Sequence, residues 1–218
     1  MTLPAIEFET KDNPEYCVIW LHGLGADGND FAPIVPELNI PAKKGVRFIF
    51  PHAPQIPVTV NGGMVMPAWY DILEMKIDRK VDIEGLLASA DMLTALVERE
   101  LDRGLESRSI ILAGFSQGGA VVYHAALSYA KPLGGILAMS TYFASSEQIS
   151  YNEANHDIAI EIQHGLHDPV VPEHLGREAK AILEKQGYHP TYRTYPMEHN
   201  VCPQQIKDIS TYLGQVLV

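Results

Sequence analysis

The sequence predicts an α/β fold with a mostly parallel central sheet and helices on both faces. Short apolar runs alternate with longer segments whose apolar residues recur at helical spacing. That alternation is the pattern of strand, helix and parallel strand. Turn residues punctuate it, with Gly104 and Gly187 standing just past two of the helical patterns. At 218 residues, 46% hydrophobic and 20% charged, the chain is expected to fold as one domain over 1–218, with a core that needs no staples.

Strands are expected at 16–21, 46–50, 110–113, 135–139, 158–163 and 191–195, with a weaker first strand at 6–9, because each is a bounded apolar or alternating run. The clearest helix opens near Asp82 and places Ile83, Leu86, Leu87, Ala90, Leu93, Val97 and Leu101 on one face. A second covers 120–127, apolar on more than one face. A third starts with Pro172 in its first turn and carries Leu175, Ala179, Ile182 and Leu183 inward. The last runs from about Pro203 through Ile206, Ile209, Leu213, Val216 and Leu217.

The bulk numbers narrow the function classes. A net charge of −11 with no basic face argues against nucleic-acid or general phosphate binding. Two cysteines, Cys17 and Cys202, give no disulfide framework and suit a reducing compartment. The first residues, MTLPAIEFETKDNPEY, have neither a basic start nor a long apolar core, and no run is long enough to span a bilayer. A cytoplasmic protein without stable membrane insertion is expected.

One stretch carries chemistry. In GFSQGGA, Ser116 lies between the run at 110–113 and the helix at 120–127, flanked by Gly114 and Gly118 in a GxSxG pattern. A nucleophile elbow has this form: a sharp strand-to-helix turn lifts the hydroxyl above the carboxyl edge of the sheet, and the next backbone N–H, here of Gln117, points at the same spot. The hydroxyl needs a base, and the base needs an orienting group. Active sites of such sheets gather at strand carboxyl ends, so the partners must follow strands. Asp157 and His189 precede theirs. Asp168 in HGLHDPVVP and His199 in YPMEHN follow theirs, giving the chain order serine, aspartate, histidine. His22-Gly23-Leu24-Gly25 directly follows the strand at 16–21, so the N–H of Leu24 can join that of Gln117 around a developing oxyanion. The two histidines of HGLH lack a third ligand at convincing spacing, so no metal is expected, nor any cofactor.

With these residues in place, the chain resembles the small carboxylesterase and acyl-protein thioesterase family, the phospholipase/carboxylesterases of the α/β-hydrolase superfamily. The matching stretches are LHGLGADGNDF, PHAP, TVNGGMVMPAWYDI, GFSQGGA, HGLHDPVVP and YPMEH, in that order. The resemblance implies an α/β-hydrolase fold, Ser116, Asp168 and His199 as the triad, Leu24 and Gln117 as oxyanion donors, no metal, and acyl esters or thioesters as substrates. Where the family commonly has glycine before the histidine, this chain has Glu198, which would be strained if that position needed positive φ.

The segment 52–76 is too long and too apolar for an idle connection. Within it Ile56, Val58, Val60, Met64, Val65, Met66, Trp69, Tyr70 and Leu73 are expected to wall an acyl groove, and Val170 joins Met66, Trp69 and Leu73 as a substrate contact. About eighteen residues separate the strands at 135–139 and 158–163, leaving no room for a separate cap domain and predicting an open site. Acyl groups carried on bulky partners, including acylated proteins or lysophospholipids, fit such a site, and its apolar surface invites a homodimer. The rivals are lysophospholipase or protein de-acylating chemistry on the same fold, and a non-catalytic scaffold that binds partners through the apolar loop.

Overall fold

The computed structural model describes residues 3–41, 43–74 and 81–217. Seven strands form one sheet in the order β1-β3-β2-β6-β7-β8-β9: β1 Ala5–Glu9, β2 Tyr16–Leu21, β3 Val46–Pro51, β6 Ile110–Phe115, β7 Gly135–Met139, β8 Ile160–Gly165 and β9 Thr191–Tyr195. All neighbours are parallel except β1, which runs antiparallel along β3. The remaining two strands, β4 Gln55–Val58 and β5 Met64–Pro67, make a separate antiparallel hairpin. The helices are α1 Ile83–Asp102, α2 Gln117–Ser128, α3 Glu173–Lys185 and α4 Pro203–Val216.

Strand alternation divides the core in two. On β2, Cys17, Ile19 and Leu21 face one way and pack with Leu86, Leu93 and Val97 of α1, with α2, and with Ala179 and Leu183 of α3. Val18 and Trp20 face the other way, toward Phe31, Ile34 and Val35 and toward Ile209, Tyr212 and Leu213 of α4. Helices therefore cover both faces, as expected. The central β2 and β6 are buried along almost their whole length, which is why they read as continuous apolar runs.

Several expected boundaries shift. β8 begins at Ile160 and runs to Gly165, both ends shifted two residues toward the C-terminus from the expected span. α2 begins at Gln117, not at 120, and Pro172 is the N-cap of α3 rather than part of its first turn. The link from Met139 to Ile160 holds only the short 3-10 turn Glu153–Asn155, so no cap covers the sheet edge there. The expected loop 52–76 contains the β4–β5 hairpin, turned by Gly62 and Gly63, both at positive φ. Its last residues, 75 and 76, lie outside the described residues.

Candidate active site

The strand β6 ends and α2 starts with a single residue between them, Ser116, at φ 53° and ψ −120°. A non-glycine residue in that region costs on the order of 1–3 kcal/mol, held only by what surrounds it. Ser116 N–H continues the sheet ladder to Met139 O at 2.9 Å, and Thr141 Oγ1–H donates to Ser116 O at 2.6 Å. The flanking glycines are needed for close approach. A Cβ on Gly114 would lie 2.6 Å from the Gly118 backbone, and one on Gly118 would lie 2.6 Å from His22 O.

Three strand ends bring three side chains together. Ser116 Oγ lies 3.0 Å from His199 Nε2, and His199 Nδ1 lies 2.6 Å from Asp168 Oδ2. Asp168 follows β8 and His199 follows β9. The second carboxylate oxygen, Oδ1, accepts the N–H groups of Val170 at 2.9 Å and Val171 at 2.8 Å. Burial pushes the Asp168 carboxyl up, but the hydrogen bonds from His199 and Val171 and the charge interaction with His199 outweigh it, so its pKa falls below the ordinary 3.8. Asp168 is thus held ionised, and His199 Nδ1–H donates to it. This leaves Nε2 free to accept the proton of Ser116 Oγ–H. The His199 ring also packs on Phe115, with centroids 4.7 Å apart.

The loop after β2 abuts this cluster: a Cβ on Gly23 would meet Ser116 Cβ at 3.4 Å. Gly25 N–H donates to Pro67 O and Ala26 N–H to Gly23 O, while the Leu24 amide between them has no acceptor among the described residues. The Gln117 amide is the first of α2 and has no acceptor within the helix. His22 fastens the loop. Its Nε2 accepts Ala53 N–H at 3.1 Å, so Nδ1 carries the proton and donates to Gly23 O at 2.7 Å. Burial lowers the pKa of His22, keeping the ring neutral.

The expected groove wall divides into buried and exposed parts. Of the expected groove-wall residues, Trp69 is 2% exposed and Tyr70 and Val58 are fully buried. Trp69 Nε1–H donates to His22 O at 2.8 Å, its backbone N–H donates to Gln117 Oε1 at 2.8 Å, and its carbonyl accepts Ser89 Oγ–H. It braces the site from below. Met66 is half-buried with its sulfur against Gly25, while Leu73 and Val170 are exposed, as are Met64, Val65 and Leu166. These can meet an apolar chain at the surface.

Glu198 does not lie at positive φ, so no backbone strain attaches to it; its side chain is exposed. His164 is fully buried and its Nε2–H donates to Val171 O at 2.8 Å, bracing the Asp168 loop. Among the described residues no three His, Cys, Asp or Glu side chains are grouped to hold a metal ion. Sequence reasoning missed the Gln117 side chain and Thr141. The first was hidden behind the role of its own amide. The second follows β7 at the sheet's carboxyl edge, and that position was the available signal.

The Phospholipase/Carboxylesterase family model matches residues 3–217. An acyl-protein thioesterase 1 of Gibberella zeae is 36% identical over 211 residues, covering 92% of this chain and 90% of that protein. One of Neurospora crassa is 36% identical over 228 residues, covering 100% and 91%. Among solved structures, SOBER1 of Arabidopsis thaliana superposes with a TM-score of 0.86 at 27% identity, covering 93% of this chain and 99% of that one. The fold is that of the α/β-hydrolases, and the chain belongs to the phospholipase/carboxylesterase family.

Proposed function

We propose that this chain is a serine hydrolase of acyl esters and thioesters, acting as a single catalytic domain, with Ser116 as nucleophile, His199 as general base and Asp168 as the group that orients and stabilises the imidazolium. The observation that carries this reading is the continuous hydrogen-bonded line from Ser116 Oγ through His199 to Asp168, with steps of 3.0 and 2.6 Å. Family membership supports the hydrolase chemistry.

The steps follow from the positions. His199 Nε2 takes the Ser116 proton as Oγ attacks the acyl carbonyl. The Leu24 and Gln117 amides, both without an acceptor among the described residues, receive the developing negative oxygen. His199 then protonates the leaving thiol or alcohol, and the acyl group remains on Ser116. Water, deprotonated by His199, attacks this ester; the bond from the acyl carbon to Ser116 Oγ breaks, His199 returns the proton to Oγ, and the carboxylic acid departs.

The acyl chain lies against Met66, Leu73 and Val170, along an open surface rather than in a sealed tunnel, which suits short to medium chains. That the relatives are acyl-protein thioesterases favours acyl groups presented on a protein cysteine over those of a lysophospholipid. The exposed Met64 and Val65, 63% and 62% accessible, supply an apolar face for a second copy. Free Cys17 and Cys202 fit a cytoplasmic setting. Among the described residues no helix is long and apolar enough to cross a membrane.

The test is turnover of nitrophenyl esters of rising chain length, acyl-CoA, a lysophospholipid and an S-acylated peptide, each with Ser116→Ala alongside. The reading predicts ester and thioester turnover that the variant loses, with the S-acylated peptide preferred to the lysophospholipid. Equal turnover by the variant overturns it.

A further inference from the structure

We infer that a cavity beside His199 is the subsite for the leaving group, and that it selects a thiol or alcohol carrying an apolar portion and a positive charge. The inference rests on the acyl-transfer reading above, and concerns the half of the substrate which that reading leaves open.

Proton accounting fixes where the leaving group must go. In acylation, the proton that Nε2 takes from Ser116 ends on the departing sulfur or oxygen. As the tetrahedral carbon collapses, the bond from carbon to that atom breaks and its electron pair stays with the departing atom. The Nε2 proton joins it, while the acyl carbon keeps its bond to Ser116 Oγ. The departing atom therefore sits against the imidazole edge, and whatever is attached to it continues past the ring.

A cavity of about 390 Å³ lies beside this ring, with His199 and Phe115 in its wall. None of Met64, Val65, Met66, Leu73 or Val170 lines it, so it is separate from the acyl surface. Its apolar side is rigid: Phe31 stacks on Trp20 at 5.2 Å and leans on Phe115 at 5.4 Å, and Phe115 carries the His199 ring at 4.7 Å. Ile34, in the short turn Ala32–Glu37, and Ile206, in the first turn of α4, complete that side. The polar side is one-signed. Asp30 and Glu37 line the cavity, both exposed, and among the described residues no Lys or Arg does. An apolar bed with two carboxylates at its rim matches a leaving group that is part aliphatic and part cationic, and opposes an acidic one.

Four octanoyl thioesters share one acyl chain and differ only in what leaves: a cysteine peptide flanked by leucine and lysine, the same peptide with glutamate for lysine, thiocholine, and neutral mercaptoethanol. The kcat/KM ratios are compared for the wild type, for Asp30→Asn combined with Glu37→Gln, and for Ile34→Trp. Hydrolysis of the common octanoyl-enzyme, which no longer contains a leaving group, is measured in each as a check that the protein is folded and competent.

The wild type is expected to prefer lysine over glutamate by about threefold for each carboxylate, in the range of exposed ion pairs, with the preference fading in high salt. The doubly neutralised variant is expected to lose it. Ile34→Trp is expected to depress kcat/KM for the peptides by about tenfold relative to mercaptoethanol. Preference for the lysine peptide alone assigns a peptide source, and preference for thiocholine alone assigns a small quaternary headgroup. A wild type that prefers neither the lysine peptide over the glutamate peptide nor thiocholine over mercaptoethanol, or whose preference is unchanged by neutralisation, overturns the inference while the hydrolase reading stands. Failure of every thioester to form an octanoyl-enzyme overturns that reading instead.

Discussion

Gln117 grips the strap around Trp69 from both sides: its Oε1 accepts Trp69 N–H at 2.8 Å and its Nε2–H donates to Tyr70 O at 2.6 Å. Gln117 is thus two devices in one residue. Its backbone amide heads α2 beside Ser116, and its buried side chain ties that helix to the segment that roofs the core. Gln117→Leu keeps the amide but removes the side-chain partner of Trp69 N–H and the side-chain donor to Tyr70 O. It is expected to lower unfolding stability by about 1–3 kcal/mol, checked by urea denaturation, while Ser116 remains reactive toward an acylating probe.

The elbow glycines are replaceable by nothing larger. In Gly114→Ala the new methyl would meet the Gly118 backbone, and backbone at a helix start cannot yield as a flexible side chain can. A loss of about 1–3 kcal/mol or more is expected. The drop should appear in thermal unfolding together with lost esterase turnover, because the displaced groups are those beside Ser116.

His22 supports the loop after β2 by donating to Gly23 O and accepting from Ala53 N–H. Its folded pKa is lowered by burial, so the native state binds protons less readily than the unfolded chain. The stability this confers is present above the ordinary histidine value of 6.5 and is lost as pH falls through the depressed folded value. Protonation would also remove the acceptor used by Ala53. His22→Ala is therefore expected to destabilise at neutral pH and to show a weaker loss of stability on acidification than the wild type, measured as Tm against pH.

Asp168 obeys the same sign with a carboxylate. Its folded pKa lies below the ordinary 3.8, so its contribution is complete above that value and disappears as pH falls through the folded one. The Tm gap between wild type and Asp168→Asn is expected to narrow as pH drops below about 4. Turnover of the variant is expected to fall by orders of magnitude at neutral pH, since an amide no longer selects the Nδ1–H tautomer of His199.

These particulars show where the sequence is explicit. β2, β7 and β9 occupy the expected spans because apolar or alternating runs end at clear turn signals. β8 is displaced at its end because His164 and Gly165 do not read as strand, yet both are buried. His164 is there to brace the Asp168 loop, a requirement of the site rather than of strand propensity. α2 reads as starting late because Gly118 and Gly119 dilute its pattern; packing against His22 and Thr141 demands them. The β4–β5 hairpin is masked by Pro57 and Pro67, one in each strand, although the Asn61-Gly62-Gly63 turn marks its centre. Trp69 looks like groove wall in sequence because nothing local reveals that its indole N–H has a buried carbonyl waiting.

The most direct measurement is mass spectrometry of the intact folded protein after reaction with a fluorophosphonate, followed by peptide mapping, with Ser116→Ala in parallel. The account predicts a single adduct on Ser116, its formation slowed in His199→Ala and absent in Ser116→Ala, with thioester turnover lost in the same variants. An adduct that maps elsewhere, or a Ser116→Ala protein that still hydrolyses octanoyl thioesters at the wild-type rate, would contradict it.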